Sequence, residues 1–523
     1  MWDIRSKEKM NIKKSIFFVC IFGVINIGIL KIISAPIGVD WANQTGMEEC
    51  RKYRNQYDVC FMGTSRVITN ISNQEIFNEY GITSVSVGEP EQPLYLTYYT
   101  MEEMFRHQNP KVVFVESQAI FYTDEHVKNR ILEEEDHIVH KSIDCIFDMK
   151  IKQQAIKETE KYADEIDCWS YYSKWYREHN NWKNISDMNF KDVDSAQCMN
   201  GNVVSFMTMQ ENNIRSLYFD TTEIEEISDE NEEWINKMVN LCAENDAQLV
   251  FLTASTNWNT LRYNAMQQLA EKYGREYIDI NVTGGKCEIK SIDTMDVTHF
   301  NLSGAIKVSH YIGEYLVNNY EFEDRRIDKK YKRIVKQNEV FEKQKKIMNT
   351  KMDLINTNTF EEYLSMLTQI DKMDNIICIS IYDEGTNCLT EKENQLLYAL
   401  GLQTDLLGQY RSSYSAVISE QGIWEEFSPD ETVVIECEIE GNELFVQSDG
   451  LESGGMHSIK INNVNYSQGE RGFNIVVYNT EINQVISSVY FDTYECENPF
   501  VKKKNTEKIT YIEIDDNIWQ KEE

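Results

Sequence analysis

Proline is scarce in this chain, which has only 6 Pro among its 523 residues. Disordered tails and linkers are typically rich in Pro and in charge. The shortage of Pro, together with abundant Lys, Glu, Asn and Ile, therefore indicates a well-ordered body. A chain of this length has room for two or three domains, each with its own buried core.

Positive charge is also scarce. The chain has 52 Lys and Arg against 86 Asp and Glu, so its formal net charge is −34. Such a surface repels phosphate backbones, and we therefore expect no nucleic-acid partner. The 12 Cys are scattered and lack the paired spacing of metal ligands. Neither a metal nor an organic cofactor is predicted.

The N-terminus departs from this composition, because several basic residues precede an almost wholly apolar run at 15–33. A run of this length just crosses a bilayer, and its basic side stays in the cytoplasm. We therefore expect a cytoplasmic tail at 1–14, a transmembrane anchor at 15–34 and a body outside the cell membrane. A signal peptide cleaved near Ser34 is the alternative.

Short apolar segments then alternate with amphipathic helical patterns. The predicted strands are 57–62, 83–87, 111–116, 247–253 and 276–280. The predicted helices are 72–80, 93–107, 231–245, 259–273 and 302–319. This alternation is typical of an α/β fold, a three-layer sandwich with a parallel sheet. We expect the domain to cover 45–320, with a helical insert at 122–230.

The insert is rich in aromatic residues, which are Trp169, Tyr171, Tyr172, Trp175, Tyr176 and Trp182. Exposed rings stack on sugar faces, so such a cluster suits a glycan cleft. Aromatic residues at helical spacing are more typical of a hydrophobic core, and this is the interpretation that the pattern favours.

Side chains suited to nucleophilic catalysis stand at both ends of the domain. Ser65 follows the first predicted strand, and Asp296 and His299 lie three positions apart before the last helix. A serine hydroxyl needs a base within reach and a third group that orients the base. A loop after a strand places Ser65 at the carboxyl edge of the sheet, where open α/β folds bind ligands. An ordinary loop with Asn301 as helix cap would show the same Asp-x-x-His pattern.

The order, spacing and flanks of these residues resemble the SGNH (GDSL-like) hydrolase superfamily over residues 50–320. The membrane-anchored members from bacterial cell-surface polysaccharide systems are the most similar. The resemblance implies a nucleophilic Ser65, a basic His299 and an orienting Asp296. It also implies that the backbone N–H of Gly88 helps to bind the oxyanion.

One family element is missing. Members usually carry Asn after the third strand as a further oxyanion donor, but here that strand runs into Glu116-Ser117-Gln118. Gln92 follows Gly88 as in many members, so the side-chain amide of Gln92 or Gln118 is the expected substitute. Asn257 and Trp258 follow the fourth strand at the same edge, and we expect them to contact substrate.

Residues 321–351 are dense in charge and predict a solvated helical linker. A strand-rich α+β sandwich domain is expected at 352–500, followed by a tail at 501–523. One of its helices is expected to begin at the capping box formed by Thr390 and Glu393.

Several motifs of this last domain resemble the interleukin-like EMT inducer domain, which is also the stem of an O-mannose-pathway N-acetylglucosaminyltransferase. They are the Asp-Glu-Gly turn at 383–385, Leu-Gly at 400–401, Arg-x-Ser-Tyr at 411–414, Arg-Gly-x-Asn at 471–474 and Phe-Asp-Thr at 491–493. Their order indicates a circular permutation. The resemblance implies glycan binding, with Asp383, Arg411 and Arg471 as candidate contacts. Arg471 pairing with a buried carboxylate is the alternative.

An extracellular domain is able to form disulfides, and Cys378 with Cys388 is the pair that we expect to be bridged. The function expected from the sequence is that of a membrane-anchored serine esterase or acyltransferase. Its substrates would be O-acyl groups, above all O-acetyl, of a cell-surface polysaccharide. The alternatives are D-alanyl transfer to teichoic acid and a non-catalytic glycan-binding scaffold.

Overall fold

The computed structural model describes residues 17–18, 20–26, 28–29, 41–132, 138–163, 166–178, 198–209, 218–282, 287–451, 457–494, 496 and 500–502. The chain divides into two compact units, Met1–Glu342 and Lys343–Glu523. The boundary falls within the predicted linker at 321–351.

Both termini lie largely outside the described residues. The predicted tail at 1–14 lies outside them, as does the tail at 501–523 beyond Lys502. The predicted anchor at 15–34 is described only in part, with helix at 20–26. Within the described part of the chain, no helix combines the length and the apolar character needed to span a membrane.

A five-stranded parallel sheet forms the centre of the first unit, with strand order β2-β1-β3-β6-β7. Its strands are β1 (Val59–Gly63), β2 (Ser84–Gly88), β3 (Val112–Glu116), β6 (Gln248–Thr253) and β7 (Glu276–Asp279). Two short strands, β4 (Cys198–Met199) and β5 (Asn202–Val203), pair with each other. Each predicted strand of the large sheet is confirmed to within two residues. Parallel sheets are covered on both faces, which explains the continuous apolar runs.

Helices pack on both faces of this sheet, and further helices belong to the insert. From residue 41 on they are, in chain order, α1 (Trp41–Lys52), α2 (Ser65–Thr69), α3 (Asn73–Tyr80), α4 (Leu94–Phe105), α5 (Asp124–Leu132), α6 (Ile138–Asp144), α7 (Met149–Tyr162), α8 (Cys168–Tyr172), α9 (Lys174–Glu178), α10 (Asp229–Glu244), α11 (Thr260–Tyr273) and α12 (Leu302–Asn319). The next helix, α13 (Lys332–Asn356), continues across the boundary at Glu342 into the second unit. Alternate residues of β1 face opposite sides: Cys60 and Met62 join one apolar cluster, whereas Val59 and Phe61 join the other. The parallel α/β architecture is thereby confirmed.

Local signals explain why the predicted helix ends were accurate. The Ser72 hydroxyl accepts the backbone N–H of Glu75 at the start of α3, and α3 ends at Gly81 in the left-handed conformation. In the same way, α11 begins after the cap Asn259 and ends at left-handed Gly274. These ends are fixed by short-range chemistry.

The aromatic cluster of the insert is mostly exposed. Tyr171 is buried with 2% of its surface exposed, whereas Trp169 is 71% and Trp175 49% exposed. Tyr172 and Tyr176 are exposed as well, and Trp182 lies outside the described residues. The core interpretation was therefore wrong for four of these rings. Helices α8 and α9 have five residues each, too short to turn a continuous apolar stripe toward the core.

The second unit contains two antiparallel sheets, ordered β10-β9-β8-β15-β16 and β11-β12-β13-β14. The strands are β8 (Asn375–Tyr382), β9 (Ser413–Ser419), β10 (Gly422–Ser428), β11 (Val433–Ile439), β12 (Asn442–Ser448), β13 (Ser458–Ile461), β14 (Val464–Asn465), β15 (Gly472–Asn479) and β16 (Gln484–Phe491). Two further helices, α14 (Phe360–Leu367) and α15 (Glu391–Ala399), belong to this unit. The capping box of α15 is formed by Thr390 and Glu393 as expected. The strand-rich α+β prediction is confirmed.

The predicted Cys378–Cys388 bridge was wrong. Cys388 forms a disulfide with Cys496, 108 residues away in the sequence. Cys378 is a free thiol in β8 and is buried in the core of the unit. Ten residues separate Cys378 from Cys388, but the strand directs the first cysteine into the core while the chain carries the second to the segment after β16.

Candidate functional site

Ser65, His299 and Asp296 lie side by side at the carboxyl edge of the parallel sheet. The Oγ atom of Ser65, the first residue of α2, is 2.7 Å from Nε2 of His299. The other ring nitrogen of His299, Nδ1, is 2.8 Å from Oδ2 of Asp296. The fold thus brings together an alcohol, an imidazole and a carboxylate in hydrogen-bonded sequence from positions 234 residues apart.

The carboxylate of Asp296 is held in its ionised form. It accepts the backbone N–H groups of Thr298 at 2.7 Å and of His299 at 2.8 Å. Burial raises the pKa of Asp296, but these hydrogen bonds and the neighbouring imidazole outweigh it, so its pKa lies well below the ordinary value. An ionised Asp296 favours the proton of His299 on Nδ1, which leaves Nε2 as an acceptor for the Ser65 hydroxyl.

Asn70, which sequence reasoning missed, fixes the His299 loop against the end of α2. Its side-chain oxygen accepts the backbone N–H of Phe300 at 2.8 Å. Its amide nitrogen donates to the backbone oxygens of Ala254 at 2.5 Å and Thr298 at 2.9 Å. A single Asn at a helix end gives no distinctive sequence signal, because its three partners come from distant segments.

Asn301 is the cap of α12, as predicted. Its side-chain oxygen accepts the backbone N–H groups of Ser303 and Gly304. Its amide nitrogen donates to the backbone oxygens of Met207 at 2.8 Å and Ile292 at 2.7 Å. The helix cap and the Ser65–His299–Asp296 arrangement therefore coexist.

Gly88 lies opposite Gly63 in the register of β1 and β2. A Cβ atom at position 88 would stand 2.7 Å from the backbone oxygen of Gly63 and 2.8 Å from that of Thr64. Only glycine fits this close approach. The backbone of Gly88 thus lies against the loop that carries Ser65.

The side chain of Gln92 serves the scaffold. It is fully buried, donates from Nε2 to the Thr97 hydroxyl at 3.0 Å and accepts from the Ser142 hydroxyl at 3.1 Å. Its expected role as oxyanion donor is thereby corrected. The Gln118 side-chain oxygen lies 3.4 Å from Nη1 of Arg262.

The loop after β6 gives a mixed outcome. Trp258 is only 2% exposed, and its ring packs in the core beside Phe121 with centroids 5.6 Å apart. The prediction that Trp258 contacts substrate was therefore wrong, because its indole ring packs in the hydrophobic core. Asn257 is exposed, and the preceding Ser255 and Thr256 donate to the backbone of the His299 loop.

In the second unit, Arg471 forms an ion pair with Asp492, with nitrogen–oxygen distances of 2.7 Å and 3.1 Å. Arg471 therefore pairs with a carboxylate, which was the alternative to a glycan contact. Asp383 and Arg411 both have a left-handed backbone. Their loops meet at buried Glu384, whose carboxylate accepts the backbone N–H of Arg411.

No cluster of His, Cys, Asp and Glu suited to a metal ion occurs among the residues with described positions. No family model and no curated protein shows significant similarity to the chain. A solved structure of a gut microbial diltiazem-metabolizing enzyme is similar at 12% identity over 50% of this chain and 47% of that one, with a TM-score of 0.19. The match therefore spans about half the length of that enzyme. A similarity of this size supports no inference about fold or activity.

Proposed function

We propose that the protein is a membrane-anchored serine esterase or acyltransferase of the SGNH (GDSL-like) type. Its substrates are O-acyl groups, above all O-acetyl, of a cell-surface polysaccharide. The observation that carries this proposal is the pair of short contacts at His299, 2.7 Å to Ser65 Oγ and 2.8 Å to Asp296 Oδ2. This is the geometry of acyl transfer through a serine nucleophile.

In the first half-reaction, Nε2 of His299 takes the proton of the Ser65 hydroxyl while Oγ attacks the ester carbonyl. The backbone N–H groups of Ser65 and Gly88 stabilise the oxyanion of the tetrahedral intermediate. When the carbonyl reforms, the sugar oxygen leaves and takes the proton from His299. Asp296 stabilises the imidazolium between these steps.

In the second half-reaction, His299 takes a proton from the acceptor, which attacks the acyl-serine. As the bond between the acyl carbon and Oγ breaks, His299 returns the proton to Ser65 Oγ. Water as acceptor gives hydrolysis, and a sugar hydroxyl gives transfer. The same three side chains serve both outcomes, so the acceptor that reaches the acyl-serine decides between esterase and transferase.

A carbohydrate substrate is supported by the exposed rings of α8 and α9. Trp169 and Trp175 present flat apolar faces to solvent, which suit the apolar face of a pyranose ring. The left-handed residues Asp383 and Arg411 of the second unit support a further glycan contact, because strained backbone clusters at ligand sites.

The test is labelling of the full-length chain with a fluorophosphonate probe. We expect the wild type to be labelled and Ser65→Ala to be unlabelled. Turnover of acetylated xylan and of a D-alanyl ester then distinguishes O-acetyl chemistry from D-alanyl transfer. If wild type and Ser65→Ala are labelled equally, or if neither is labelled, the non-catalytic glycan-binding scaffold remains as the alternative.

A further inference from the structure

Arg66, the residue that follows Ser65 in the sequence, carries a guanidinium that is nine-tenths buried. Its side chain is 8% exposed. Nε and Nη1 are buried and have no hydrogen-bond partner among the residues that the structure describes. Nε carries one N–H group and Nη1 carries two, and burying these donors without partners is unfavourable relative to a fully hydrogen-bonded guanidinium.

Glu116 neutralises the charge of the Arg66 guanidinium without accepting a hydrogen bond from its Nε or Nη1. Its Oε2 accepts the Thr64 hydroxyl at 2.8 Å, and its Oε1 accepts the backbone N–H of Gln118 at 3.0 Å. The distance from Oε1 to Nη1 of Arg66 is 3.7 Å, which is too long for a hydrogen bond. The Arg66–Glu116 pair is therefore held by the attraction between opposite charges. The N–H groups on Nε and Nη1 of Arg66 remain available as hydrogen-bond donors.

The pair lies at the carboxyl edge of the sheet, beside the residues that precede Ser65. Glu116 ends β3, which pairs with β1 on one side and with β6 on the other. The Cβ of Glu116 closely approaches Gly63, two residues before Ser65. The segment after β6 contacts the His299 loop. Arg66 and Glu116 thus occupy the sheet edge between the nucleophile and the segment that supports its base.

We propose that the guanidinium of Arg66 is a third oxyanion donor, which takes the place of the Asn side chain that the sequence lacks after β3. This inference rests on the proposed function. As Ser65 Oγ forms its bond to the acyl carbon, the carbonyl π electrons move onto oxygen, and the N–H groups of Arg66 bind that oxygen together with the backbone donors. When the C=O bond reforms, the sugar oxygen leaves with the proton from His299. Glu116 is a positioning residue that fixes the guanidinium.

The test compares Arg66→Gln and Arg66→Lys with wild type in the full-length chain, using p-nitrophenyl acetate as substrate. We expect kcat of Arg66→Gln to fall about 100- to 1,000-fold while KM changes less than about three-fold. Arg66→Lys retains a cation and recovers part of the loss. The rate of fluorophosphonate labelling falls in parallel with kcat.

A charge-balanced double variant separates donation from structural support. If Arg66 only neutralised Glu116, Arg66→Met combined with Glu116→Gln would restore kcat, and this result would overturn the inference. We expect the double variant to regain the thermal unfolding midpoint that the single Arg66 variants lose. Its kcat should stay as low as theirs.

Arg177→Gln is the matched control, because its side chain is also 8% exposed and forms an ion pair with Asp144 at 2.5 Å. This control should lose stability and keep kcat within about three-fold of wild type. If the wild type is labelled at Ser65 and Arg66→Gln is labelled equally fast, only the role of Arg66 is refuted. If the wild type is not labelled at all, the proposed function fails and this inference fails with it.

Discussion

The side-chain oxygen of Asn70 accepts the backbone N–H of Phe300 at 2.8 Å, and this contact joins the end of α2, the helix that begins at Ser65, to the residue after His299. Asn70→Ala removes it together with two further hydrogen bonds, to the backbone oxygens of Ala254 and Thr298. We expect kcat to fall about 100-fold because the imidazole loses its position. The free energy of unfolding should fall by about 2–3 kcal/mol. Turnover and denaturant titration measure the two effects, and an unchanged kcat would contradict the positioning role.

Asp296→Asn should lower kcat about 1,000- to 10,000-fold, because an amide no longer fixes the tautomer of His299 or stabilises the imidazolium. Since the pKa of Asp296 lies well below its ordinary value, the wild-type carboxylate stays ionised throughout the working range. The loss should therefore be similar at pH 6 and pH 8. Steady-state kinetics at both pH values checks this, and a loss below about ten-fold would argue against the assigned role.

Trp169→Ala tests the exposed aromatic surface. We expect KM for an acetylated polysaccharide to rise about 2- to 10-fold through loss of ring stacking. Turnover of p-nitrophenyl acetate and the unfolding midpoint should not change, because Trp169 is 71% exposed. Phe219→Ala, a change at another exposed ring of the first unit, is the control. The same KM rise in both variants would deny Trp169 a specific role.

Cys388→Ser should lower the free energy of unfolding of the second unit by about 2–5 kcal/mol, because the disulfide to Cys496 closes a long loop. Dithiothreitol should shift the wild type to the same denaturation midpoint and leave the variant unchanged. Cys378→Val should retain the sensitivity to reduction. A reductant effect that disappears in Cys378→Val would restore the bridge expected from the sequence.

Asp279→Asn tests a buried carboxyl group at the end of β7. Burial raises the pKa of Asp279, although hydrogen bonds from the Tyr218 hydroxyl and Asn281 oppose the shift. A raised folded-state pKa means that the stability contributed by the protonated group is complete below the unfolded pKa of about 4 and is lost as pH rises through the folded value. Wild type should therefore lose more stability than Asp279→Asn between pH 4 and pH 7. Denaturant titration at both pH values measures this, and equal losses would contradict it.

Short-range chemistry explains the part of the fold that the sequence predicted well. Gly81, Gly274 and Asn301 end or begin helices through contacts within a few residues, and the apolar runs of the parallel strands need no partner to be recognised. The exposure of Trp169 was mispredicted because helical spacing does not tell how long a helix is.

The site was predictable only where a resemblance supplied long-range information. Ser65, Asp296 and His299 were expected together from their order and flanks. Asn70 was missed, because its partners lie about 180 to 230 residues further along the chain. The disulfide partner of Cys388 was missed for the same reason, since proximity in sequence suggested Cys378 instead.

Gly63 and Gly88 face each other across β1 and β2, and neither position has space for a methyl group. At this point the main chain itself forms the surface, and no larger side chain can be introduced without displacing the loop that carries Ser65. Under the proposed function, a change of acyl-chain preference would therefore have to come from the residues around these two glycines.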